Sequence, residues 1–137
     1  MTLFEECLDA LGEHCEVLSE EKSNRVVEAM CRLFPVAING RIDWDKVRVK
    51  KEIEDLSEIS GFTNTVHDEA LYLIWSDGSY PVVQSKMKNV MEAIDDITAV
   101  SFDTWLFNPT SSFVIEFYHE GEIIYGKHPQ DGEPLEC

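Results

Sequence analysis

From Val100 onward, hydrophobic and polar positions alternate. Val100, Phe102, Thr104 and Leu106 fall on one side, and Ser101, Asp103, Trp105 and Phe107 on the other, the period of a strand with one buried face. Asn108-Pro109 ends the run, because proline removes a ladder donor and fixes φ. Phe113, Ile115 and Phe117 then alternate with Val114, Glu116 and Tyr118, and the Glu120-Gly121 turn leads into a further strand over 122–125. These segments predict a C-terminal β-meander.

Upstream the period changes to that of helices. Leu3, Phe4, Cys7, Leu8 and Leu11 form one stripe, with Thr2 as N-cap and Gly12 as stop. Ser19 caps a second helix that buries Val26, Val27, Met30, Leu33 and Phe34 and ends at Pro35. Asp43 opens a third helix carrying Val47, Val49, Ile53, Leu56 and Ile59, closed by Gly61. The stretch 69–75 reads as a strand, Ser76-Asp77-Gly78-Ser79 as a turn and 81–84 as a short partner strand. Ser85 caps a helix with Met87, Val90, Met91 and Ile94 inward, broken by Asp95-Asp96. The order predicts a single α+β domain, an antiparallel sheet of about five strands with about four helices mainly on one side. Residues 1–126 form the domain, and 127–137 lack periodicity and read as a flexible tail.

Sorting the meander by face bears on function. Phe102, Leu106, Phe113, Ile115, Phe117, Ile123 and Tyr125 make an apolar face that must pack on helices. The opposite face mixes acids with aromatics: Asp103, Trp105, Phe107, Glu116, Tyr118 and Glu122. That mixture suits a surface buried by a partner; the competing reading is that a helix of the same chain covers it.

Charge sharpens this picture. The 27 acidic residues against 11 basic ones leave a net charge of −16, which argues against direct binding of nucleic acid or of anionic membranes. It points to a basic partner drawn in by electrostatic steering, and exceeds the ~2–8 charges that solubility asks of a small domain. Lys46, Arg48, Lys50 and Lys51 cluster and read as a solvated helix face.

The candidate chemistry is sparse. Asp103, Glu116 and His119 could meet on adjacent strands as an acid–base or metal site, which would make the chain a small hydrolase or metal-dependent enzyme. No oxyanion hole, phosphate loop or nucleophile motif accompanies them. Cys7, Cys15, Cys31 and Cys137 lack CxxC spacing, and His14, His67, His119 and His128 lack HxH or HExxH spacing, so neither a metal nor another cofactor is expected. The N-terminus has no signal-peptide pattern and no apolar run approaches ~18 residues, which predicts a cytoplasmic protein.

The segments LFEECLDALG, GRIDWDK, LYLIWSDGSYPVV and DDITAVSFDTWLF followed by VIEFYHEGEI resemble immunity proteins of bacterial contact-dependent growth inhibition systems. The resemblance extends to about Gly126. It implies a non-enzymatic cytosolic protein that binds the C-terminal toxin domain of its own system, often a nuclease, and blocks it. It transfers no catalytic residues, so the expected contacts come from the face analysis. They are Asp103, Trp105, Glu116, Tyr118 and Glu122 on the sheet, with Asp77 and Tyr80 from the neighbouring turn. Carboxylates would meet toxin Lys or Arg and the aromatics would supply buried area. Glu116→Lys would then weaken binding without unfolding the protein.

Overall fold

The computed structural model describes residues 2–63 and 68–128. Among these residues seven strands make one antiparallel sheet: β1 (Glu16–Val17), β2 (Val49–Glu52), β3 (Ala70–Trp75), β4 (Val83–Lys86), β5 (Thr104–Asn108), β6 (Phe113–Phe117) and β7 (Ile123–Lys127). Their spatial order is β1-β4-β3-β5-β6-β7-β2, so the β5-β6-β7 meander lies within the sheet. Five helices accompany them: α1 (Leu3–Leu11), α2 (Glu20–Leu33), α3 (Ser57–Thr63), α4 (Met87–Glu92) and α5 (Ile94–Thr98). The α+β class and the meander are those the alternation predicts, with more strands and helices than expected.

Local chemistry starts the two N-terminal helices where the sequence places them. Thr2 Oγ1 accepts from the Glu5 N–H at 3.1 Å while Glu5 Oε1 accepts from the Thr2 N–H at 3.0 Å, a reciprocal capping box. Ser19 Oγ accepts from the Lys22 N–H at 3.2 Å, and Glu20 and Glu21 complement the dipole of α2.

Both faces of the sheet are covered, rather than mainly one. Cys7 and Leu11 of α1, Met87 and Val90 of α4 and Ile97 of α5 belong to one core with Leu73, Leu106, Ile115 and Phe117 of the sheet. On the other face Met30 of α2, with Phe34, Ile42 and Val47 beyond it, packs with Ile74, Trp105, Phe107 and Val114. Each large apolar side chain so buried contributes about 1.5–3 kcal/mol, and two facing layers give a small sheet two sets of them.

Several local expectations are corrected. The third helix does not start at Asp43: a 3-10 turn at Trp44–Lys46 leads into the edge strand β2, and the helix begins only at Ser57. β2 pairs with β7, and the Ile53 N–H continues the contact by donating to the Ile123 carbonyl at 2.7 Å. Lys50 and Lys51 therefore lie on an exposed outer strand, where charge discourages edge-to-edge association. The 86–94 helix is interrupted at Ala93 (φ −112°, ψ 17°), and Asp95 and Asp96 form the first turn of α5 instead of ending a helix. Ser85 is a β4 residue whose hydroxyl donates to the His14 carbonyl. β7 also takes in Lys127, and the His128 N–H donates to the Ser112 carbonyl at 2.8 Å. The remainder of the expected tail, 129–137, lies outside the described residues.

Candidate functional site

Glu116 points from β6 into the second core and is 1% exposed. Its Oε1 accepts from Arg41 Nε at 2.9 Å and Trp44 Nε1 at 3.0 Å. Its Oε2 accepts from the Ile42 N–H at 3.1 Å and Trp105 Nε1 at 3.0 Å. A buried carboxylate without such donors would cost several kcal/mol; here every acceptor direction is used. The loop that follows α2 is thereby pinned to the sheet through Arg41, Ile42 and Trp44. Arg41 completes the hub: its guanidinium lies 2.7 Å from Glu116 Oε1, 3.3 Å from Glu122 Oε2 and 3.8 Å above the Tyr118 ring. Burial works against its charge, but the Glu116 and Glu122 carboxylates outweigh that and hold the guanidinium above its ordinary pKa.

Trp105 and Glu116 were expected on a surface for a partner, and that placement is corrected: α2 and the 34–47 segment cover their face. Tyr118 and Glu122 hold Arg41 from the solvent side, with Glu122 half exposed. The sheet end where β3 and β6 finish and β5 and β7 begin carries the rest. Asp77 is exposed there, and the Ser79 hydroxyl and N–H donating to it hold its carboxyl below the usual range. Tyr80 is half buried, stacked on Phe4 at 5.3 Å between ring centroids.

Asp103 is fixed from both sides. Its Oδ1 accepts from the His119 N–H at 2.8 Å and meets His119 Nδ1 at 2.9 Å. Its backbone exchanges hydrogen bonds with Ser76, at 3.1 Å from Asp103 N to Ser76 Oγ and 3.0 Å from Ser76 N to the Asp103 carbonyl. Of the three residues considered for acid–base chemistry, the structure pairs Asp103 with His119 and commits Glu116 to the Arg41–tryptophan hub. Among the described residues no three His, Cys, Asp or Glu side chains are grouped to hold a metal ion.

Phe102, expected on the helix-packed face, is 82% exposed. The alternation suggested a strand from Val100, but the ladder starts at Thr104, paired with Trp75 just before β3 turns away. Ser101 to Asp103 therefore bend past the end of the sheet and turn the ring outward, 5.8 Å from the His119 ring. Exposed Asp77, Glu120 and Glu122 share this end, and β2 delivers exposed Glu52, Glu54 and Asp55 to it. The result is an apolar ring in a field of carboxylates, a pairing visible only once the strand start is known.

Fold and surface together define a small acidic α+β domain whose sheet is buried on both faces and whose loops gather acids at one end. The chain belongs to the CdiI immunity proteins: the family model described as "CdiI immunity protein EcoliA0-like" matches residues 1–126. The chain is also similar to the "Uncharacterized protein YqzI" of Bacillus subtilis (strain 168), 47% identical over 46 residues, which are 34% of this chain and 88% of that protein. Among the described residues no helix is long and apolar enough to cross a membrane.

Proposed function

We propose that this immunity protein acts by binding the toxin domain of its own contact-dependent growth inhibition system, and that the toxin is a basic nuclease. The acid-rich sheet end covers the toxin's active site or substrate groove, with Phe102 as the apolar anchor and Asp77, Asp103, Tyr118 and Glu122 around it. The observation that carries the reading is Phe102, 82% exposed among carboxylates. Leaving so large a ring in water forgoes about 1.5–3 kcal/mol that burial would return, and central aromatic anchors dominate interface energies. A surplus of 27 acids over 11 basic residues supports the choice of a nuclease, whose own groove must be cationic to hold its substrate. The free thiols of Cys7, Cys15 and Cys31 suit action in the reducing cytoplasm.

The test is co-purification with the toxin domain encoded beside this protein, followed by a nuclease assay with and without it. Phe102→Ala should leave thermal stability unchanged, because the ring packs on no core, and weaken toxin binding by about 2 kcal/mol or more. Full-strength binding by Phe102→Ala would remove this end of the sheet from the interface.

A further inference from the structure

A groove of about 540 Å³ opens between α2, the 36–40 turn and the β3–β4 loop, beside the acid-rich end. Its walls are mostly apolar, with Val27, Met30, Ile74, Val82 and Trp105 among them, and Asp103 is the one charged residue lining it. No cationic side chain lines it to neutralise that carboxylate. Asp103 Oδ1 is occupied by His119, whereas no hydrogen bond within the described chain uses Oδ2. The hydrogen bonds to Ser76 and His119 hold the carboxylate in place, so a ligand would meet a preorganised acceptor. At the rim Val36 is 43% exposed, and Ile38, in the same turn, is fully exposed.

We infer that this groove seats an arginine side chain from the toxin domain, its aliphatic stem against the apolar walls and its guanidinium at Asp103 Oδ2. The inference rests on the immunity reading and names what one part of the interface recognises. Arginine fits the chemistry better than lysine: its planar group is weakly hydrated, stacks on aromatic and apolar walls, and donates to a carboxylate without needing a full water shell. Charge complementarity points the same way, since the chain carries −16 and this end presents carboxylates.

The experiment measures toxin binding by the full chain, by Asp103→Asn and by Asn24→Trp. Asn24 is an exposed α2 residue on the groove wall, so a tryptophan there plugs the groove without entering a core. Both variants should bind about tenfold more weakly or worse, as expected for loss of a desolvated charge-assisted contact. Alanine substitution of the toxin's surface arginines should then reveal one whose loss costs the same factor and adds nothing in the Asp103→Asn background. Unchanged binding by both variants overturns the groove while the immunity reading stands on the Phe102 surface. Coupling of Asp103 to a toxin lysine, or to no toxin arginine, overturns the occupant. A wild-type chain that binds no toxin overturns the immunity reading, and the inference with it.

Discussion

Glu116 is the acceptor for Arg41, Ile42, Trp44 and Trp105, so its protonated or amide forms have donors facing donors. Glu116→Gln should destabilise the fold by about 3–5 kcal/mol, the cost of stripping one partner from a buried ion pair and leaving the other charge behind. Urea unfolding followed by tryptophan fluorescence measures it; a loss below about 1 kcal/mol would mean the hub tolerates a neutral acceptor. Glu116→Lys would place an ammonium against the Arg41 guanidinium, so any loss of toxin binding there reports unfolding and not a lost contact. A glutamate in an alternating strand looks solvent-facing from sequence. The partner that makes it a core residue, Arg41, lies 75 positions away in the chain.

The second face of the sheet is closed by a loop as much as by a helix, and Gly126 in β7 is where that loop lands. A Cβ at Gly126 would lie 2.5 Å from Trp44 Cζ3 and 3.3 Å from Val47 Cγ1. Gly126→Ala should therefore push Trp44 off the sheet and loosen its bond to Glu116. We expect a loss of about 1–3 kcal/mol, as for overpacking a filled site, with an altered tryptophan emission maximum in the folded state. Unchanged stability with an unchanged spectrum would show that the loop yields freely. Helix starts in the first third were legible because their caps are local: Thr2 with Glu5 and Ser19 with Lys22 lie three residues apart. β2 was not legible, because Val49-Lys50-Lys51-Glu52 has no strand pattern of its own and becomes a strand by pairing with β7.

Across the whole molecule, charge is arranged by the ends of the strands. One end gathers Glu52, Glu54, Asp55, Asp77, Glu120 and Glu122, while Lys86, Lys88 and Lys127 lie at the other with Asp68 and Glu69. For a basic toxin the acid end should steer encounter. Raising NaCl from about 0.05 to about 0.5 M should slow association by about tenfold or more with little change in dissociation. Glu120→Lys should slow it as well, whereas Lys88→Glu at the far end should not. Stopped-flow association rates decide between the ends, and equal sensitivity of both would mean that net charge alone does the steering.

The alternating pattern, the local caps and the proline and glycine stops were enough to determine an α+β domain, its meander and two of its helix starts, and the acidic balance motivates the proposal of a cationic partner. These follow from periods of two and 3.6 residues and from counts, which are properties of neighbours along the chain. What covers each face of the sheet, and hence which acids and aromatics remain outside, was decided only by tertiary structure. Trp105 and Glu116 went inside because Arg41 and Trp44 arrive from far away in sequence to satisfy them. Phe102 went outside because β3 turns away after Trp75: the Ser76 N–H still reaches the Asp103 carbonyl, and the residues before Asp103 have no ladder to join.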